Sequence, residues 1–115
     1  MREDANECPI EELYYHLEER DGVLYWKNPT APQFRAGDRA GGRKPNPDGY
    51  FYIKLNGQAY LVHRVIMAMR LGRWPNYVDH RNGVRTDNSK GNLRETTWRG
   101  NMGNRIAPNR DLPRG

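Results

Sequence analysis

The chain reads as a small α+β domain built on antiparallel hairpins with flanking helices, and three observations lead there. Asn56-Gly57 separates two alternating runs, 50–55 and 58–63, the pattern of a two-residue hairpin. Apolar residues at helical spacing come before and after that pair. With 115 residues, 12 of them Gly and 8 Pro, the chain has room for one thin core and many turns, so a multi-domain enzyme is excluded.

Taken in order, Pro9 to Glu19 carries apolar residues at 10, 13, 14 and 17, which predicts a short amphipathic helix with an outward acidic side. His16 lies beside that stripe and reads as a structural, partly exposed histidine. After Asp21-Gly22, Val23-Leu24-Tyr25-Trp26-Lys27 predicts a strand closed by Asn28-Pro29. Residues 28–49 are turn-rich and carry Arg35, Arg39, Arg43 and Lys44, and their glycines allow backbone N–H groups to approach an anion. No Gly-Lys-Ser/Thr phosphate loop occurs.

The hairpin register predicted by Asn56-Gly57 sets Phe51 opposite Val62, Ile53 opposite Tyr60 and Leu55 opposite Gln58, which defines the core face. Tyr50 with His63, Tyr52 with Leu61, and Lys54 with Ala59 make the other face, suited to DNA or to a covering element. A helix is expected over His63–Leu71, with Val65, Ile66 and Met69 inward, Arg64 and Arg70 off the stripe, and Gly72 as its stop. Tyr77 to His80 and a second short strand near Leu93 to Thr96 follow. Thr96 or Thr97 is expected to cap a last helix running to roughly Arg105. The predicted division is 1–72, an N-terminal helix plus β-hairpin DNA-binding region; 73–105, a catalytic motif; and 106–115, a polar tail.

Charge is unevenly spread. Residues 1–21 hold eight acids against two arginines, and the remainder holds 17 Lys and Arg against six acids. A basic body of this kind is the footprint of a nucleic-acid binder, because neutralising phosphates releases counterions. Cys8 is the only cysteine, which excludes an internal disulfide and a Cys-based zinc cluster. No apolar run approaches the roughly 20 residues of a membrane span, and the acidic start is unlike a signal peptide, so the expected location is the cytoplasm.

The chemistry concentrates in Val78-Asp79-His80-Arg81-Asn82-Gly83, Asp87-Asn88, Asn92-Leu93-Arg94, Asn101 and Asn104. Hydrolysing a phosphodiester requires activating water, neutralising phosphoryl charge and stabilising the leaving oxygen. His80 would take the proton from water, as imidazole suits general-base work near neutral pH. Asp79 and Asn101 offer hard oxygens, which favour Mg²⁺, with Mn²⁺ or another divalent cation as substitutes, at one ion per site. Asn92 would bond an imidazole nitrogen or a nearby backbone group and so fix the tautomer. Adjacent strand residues face opposite ways, so Asp79 and His80 are expected at a strand end, with Asn82-Gly83 turning the chain. Asp87 and Asn88 read as an Asx-type turn.

These pieces in this order, together with Val62-His63-Arg64 and Trp74-Pro75, resemble the HNH endonucleases, particularly the phage free-standing and intron-encoded homing type. Glu11 to Lys27 and Ala36-Gly37 to Tyr52 resemble the amino-terminal part of free-standing phage members, so the likeness covers about residues 10 to 105. The resemblance implies a ββα-metal finger preceded by a small antiparallel β-sheet with flanking helices. It makes His80 the general base, Asp79 and Asn101 the metal ligands, and Asn92 the residue that orients His80. Asn101 stands where many relatives have histidine and the homing branch has asparagine; that branch often nicks one strand. His63 matches a position expected to tie the hairpin to its helix. The paired Cys-X-X-Cys clamps of some HNH enzymes are absent, so packing must hold the finger. In many relatives the terminal Pro113-Arg114-Gly115 leads into a further DNA-binding β-module resembling plant AP2 domains, so weaker specificity is expected, or specificity supplied by a homodimer or a phage protein partner.

The expected activity is metal-dependent cleavage of double-stranded DNA, by nicking or by cutting both strands. Arg35, Arg39, Arg43, Lys44 and Lys54 would grip the duplex, while Arg81, Arg85, Lys90 and Arg94 would lie near the cleaved phosphate. The alternatives are a non-cleaving DNA-binding module or regulator on the same fold, and a packaging or structural protein whose basic surface meets proteins or RNA.

Overall fold

The computed structural model describes residues 7–41 and 44–96. Helix α1 spans Ile10–His16 and runs straight into a hairpin of β1, Leu17–Arg20, and β2, Val23–Trp26. A second hairpin joins β3, Tyr52–Leu55, to β4, Gln58–Leu61, and leads without a loop into α2, Val62–Leu71. The third pairs β5, Tyr77–His80, with β6, Leu93–Thr96. The architecture is thus α+β with three separate two-stranded antiparallel sheets, where the sequence had suggested one small sheet ahead of a finger.

The expected helix to Glu19 stops at His16, because Leu17 is already extended, and residues 17–20 pair with 23–26 instead. Asp21 and Gly22, at φ 49° and 84°, make the left-handed turn that a two-residue hairpin needs. Leu17 is buried under either reading, so helical spacing alone misassigned it. His16 and Asn28 lock the junction: the His16 ring meets the Asn28 carbonyl at 2.7 Å, and the Asn28 amide donates to the Tyr15 carbonyl at 2.6 Å.

The central hairpin has the expected register, Ile53 opposite Tyr60 and Leu55 opposite Gln58, around Asn56 and Gly57 at φ 51° and 86°. Ile53, Leu55, Tyr60 and Val62 are buried, while Tyr52, Lys54 and Ala59 lie exposed on the opposite face. The strand yields to helix one residue earlier than expected, at Val62, whose N–H still bonds the Phe51 carbonyl at 3.0 Å. Gly72, at φ 79°, ends α2 by donating its N–H to the Ala68 carbonyl at 2.8 Å.

Helix α2 is the centre of the molecule, buried from Val62 to Ala68 and packed on Leu13, Leu17 and Leu24 from the first unit, Ile53 and Leu55 from the second, and Val78 and Leu93 from the third. Each fully buried leucine or isoleucine contributes on the order of 1.5–3 kcal/mol. Arg64 departs from its expected place off the apolar stripe and is fully buried. Its guanidinium donates to Glu7 at 3.0 Å and to the Asn76 carbonyl at 3.1 Å and lies 5.8 Å from the Trp74 ring. The same Trp74 donates its indole N–H to the Cys8 carbonyl at 2.6 Å, so the chain ahead of α1 is strapped to the turn that launches β5.

The loop before β3 is pinned along β2: Trp26 N–H reaches the Asp38 carbonyl at 2.9 Å, Ala40 N–H reaches the Leu24 carbonyl at 2.8 Å, and Tyr25 bridges Arg39. Among the described residues, no helix is long and apolar enough to cross a membrane. The expected last helix, from Thr96 or Thr97 to Arg105, lies outside the described residues apart from Thr96, which closes β6.

Candidate active site

Asp79 and His80 close β5, where the ladder sets Asp79 opposite Arg94 and His80 opposite Leu93. Beyond His80 the chain turns at once: Gly83 N–H bonds the His80 carbonyl at 2.9 Å, with Gly83 at φ 76°. This is the strand end that the adjacent acid and histidine require. His80 is 8% exposed, and its Nε2 lies 2.8 Å from the Asn88 side-chain oxygen, itself on a buried residue. An amide oxygen only accepts, so this contact suits the tautomer with the proton on Nε2.

Asn88, which the sequence assigns to a turn, is the residue in contact with His80. The turn work is done by its neighbours. Asp87 accepts from Ser89 N–H at 3.2 Å and Ser89 Oγ at 2.6 Å and from the Asn82 amide at 2.8 Å, while Asn82 accepts from Val84 N–H at 2.9 Å. The hydrogen bonds from Ser89 and Asn82 hold the Asp87 carboxyl below its ordinary value. Asn92 bonds backbone at both ends of its amide, donating to the Asp87 carbonyl at 2.5 Å and accepting from Asn82 N–H at 3.2 Å. Of the two partners expected for Asn92, the described bonds are to backbone: it closes the loop that presents Asn88 to His80. A histidine needing an orienting acceptor was the available signal for Asn88, and the path of the loop was not legible.

Aromatic groups wall the other side. The His63 ring lies 5.0 Å from His80, Tyr50 stacks on His63 at 5.0 Å, and Tyr50 lies 6.1 Å from His80. Arg85 sits 5.1 Å above Tyr50 and donates to the Asp48 carbonyl at 2.6 Å, bridging the β5–β6 connection to the chain before β3. His63 is 1% exposed, in the joint between hairpin, helix and His80.

Asp79 is half-buried and accepts from Arg94 at 2.9 Å. Among the described residues no group of three or more His, Cys, Asp or Glu gathers to hold a metal. One accessible carboxylate that already draws a cation still fits a Mg²⁺-type ion, which keeps water and takes one or two carboxylates plus substrate oxygens. It does not fit a closed protein cage. Asn101, the second expected ligand, and Arg43 lie outside the described residues.

Residues 60–102 match the family model described as HNH endonuclease. The matched stretch runs from β4 through α2, β5 and β6 and holds every part of the His80 site except Tyr50 and Asp48. Searches of curated proteins and of solved structures gave no match. HNH nucleases act on DNA and generally use a divalent metal, so the match suggests nuclease activity on DNA.

The expected DNA contacts fall into two groups around the matched segment. Arg81, Lys90 and the bridging Arg85 are exposed near the site, and Arg94 is engaged by Asp79. Arg35, Arg39, Lys44 and Lys54 are exposed on the pinned loop and on β3.

Proposed function

We propose that the chain is a DNA endonuclease that hydrolyses a phosphodiester bond with His80 as general base. The observation that carries this reading is the buried His80 at the end of β5, fixed through Nε2 by Asn88 and adjacent to an accessible carboxylate. Asn88 holds the neutral tautomer, so Nδ1 takes the proton as water attacks phosphorus. The wall of His63 and Tyr50 limits how the imidazole can turn. Asp79 and Asn101 would hold one Mg²⁺, or Mn²⁺ in its place, which when bound supplies charge to the phosphoryl oxygens and the leaving group. Arg94, now on Asp79, would be left to share that carboxylate or turn to phosphate. Asn101 at the third motif position fits the homing-type branch, in phage or bacterial hosts, and hence nicking of one strand. The exposed Arg35, Arg39, Lys44, Lys54, Arg81 and Lys90 would meet backbone phosphates.

The cross-strand Asp79–Arg94 ion pair favours a second reading, in which the carboxylate only pairs its neighbour and the chain binds DNA without cutting. Supercoiled plasmid incubated with the protein and Mg²⁺ or Mn²⁺, with and without EDTA, separates the two. The endonuclease gives nicked or linear DNA that disappears with EDTA. Intact plasmid under every metal, with a retained gel shift, establishes the binding module instead.

A further inference from the structure

A cleft of about 560 Å³ opens between the pinned loop and β3 with its Asn56-Gly57 turn. Among the described residues, three that line it are cationic, Arg39, Lys44 and Lys54, and none is a carboxylate. Three others are aromatic. Trp26 and Phe34 stack on each other at 5.3 Å, and Tyr52 stands on the opposite wall, 39% exposed. Trp26 is 3% exposed, and its indole N–H has no hydrogen-bond partner among the described residues. A buried donor without an acceptor is costly.

The geometry points to a nucleotide-binding cleft that takes an unpaired nucleotide of a DNA strand, its phosphates on Arg39, Lys44 and Lys54 and its base against Tyr52. Cations alone would suit a duplex backbone or an acidic peptide. Aromatic walls in a concave site add something a paired base cannot use, since its faces are already covered by its neighbours. An unpaired base offers a free π-face, and cation-lined grooves with aromatic platforms are how proteins hold single strands. The volume lies within the range of small-ligand sites, large enough for a nucleotide and too small for a duplex.

The cleft also lies on the strand that leads to the candidate active site. Tyr50, beside His80, lies two residues before the start of β3, whose Tyr52 and Lys54 line the cleft. At about 3.3 Å per residue the four steps from Tyr50 to Lys54 cover about 13 Å, so a strand held at His80 reaches the cleft within a few nucleotides. The substrate is thereby narrowed to DNA with an unpaired position beside the cut, such as a gap or flap. This rests on the proposed endonuclease reading for its substrate, and its test does not use cleavage.

Fluorescence anisotropy in EDTA, with a fully paired duplex and the same duplex carrying a short single-stranded gap, measures the preference directly. Wild type should bind the gapped probe at least about fivefold more tightly. Tyr52→Ala should lose that preference with its melting temperature unchanged, and Tyr52→Phe should keep it. Equal binding of both probes by wild type, or an intact preference in Tyr52→Ala, overturns the proposal. So does poly-glutamate competing as well as oligo-dT, which would mark a surface for acidic protein. Gap preference without plasmid cleavage would sink the endonuclease reading alone, and cleavage without preference would sink only the cleft.

Discussion

The His80 imidazole is held by a residue eight positions away in the chain. The Nε2 contact to Asn88, at 2.8 Å, is buried, so nothing in solvent replaces the acceptor if it is removed. Asn88→Ala should therefore lower cleavage about 10- to 100-fold, the scale of losing a partner that orients a functional imidazole. Duplex binding, measured by gel shift, should stay near wild type. Unchanged cleavage would show that His80 is held by other contacts. The sequence displayed Asp79 and His80 plainly, since an acid beside a histidine before Asn-Gly is a local signal. Asn88 was visible only as half of an Asp-Asn pair, because a contact made by a folded loop has no fixed spacing. Arg64 was obscure for the same reason: its partners Glu7, Trp74 and Asn76 come from separate segments.

Among the elements, the β1–β2 hairpin supports the site from behind. A Cβ on Gly22 would fall 2.7 Å from Ser89 Cα and nearer still to the Asn88 carbonyl, at a φ of 84° that already disfavours side chains. Gly22→Ala should thus cost stability, about 1–3 kcal/mol, and also displace the Asn88 backbone and reduce cleavage. Gly57→Ala shares the positive φ, 86°, and has open space around it, so it should cost stability alone. Cleavage assays at a temperature where both variants are folded distinguish them; equal activities would detach the hairpin turn from the site. The Asn56-Gly57 hairpin was readable to its register because turn and alternation agree. The β1–β2 hairpin was hidden by Leu17, which continues the helical spacing of Ile10, Leu13 and Tyr14, although Asp21-Gly22 carried a comparable turn signal.

Across the whole molecule, carboxylates join segments that the thin core leaves apart. Burial pushes Glu19 upward, yet hydrogen bonds from Arg70 and from Gly22 N–H, with the charges of Arg70 and Lys90, outweigh it and bring Glu19 below its ordinary 4.5. The hydrogen bond from Arg73 lowers Glu95 against the effect of burial, with help from Asn76 N–H, and Asp87 is lowered as described. A carboxylate depressed by folding adds stability that is fully present above its unfolded value and is lost as pH falls through its folded one. Thermal melts should therefore show these contributions intact above about pH 5 and fading progressively below about pH 4. A melting temperature flat to about pH 3 would deny them a role. Composition showed the excess of basic charge, and no composition could show that His63, Tyr50 and Arg85 join the central hairpin to the β5–β6 loop around one imidazole. That convergence makes His80 the candidate base, which His80→Ala puts to the test. Incubated with supercoiled plasmid and Mg²⁺ or Mn²⁺ at a temperature where it is folded, the variant should leave the DNA intact while binding duplex like wild type. Cleavage at the wild-type rate would remove His80 from the reaction.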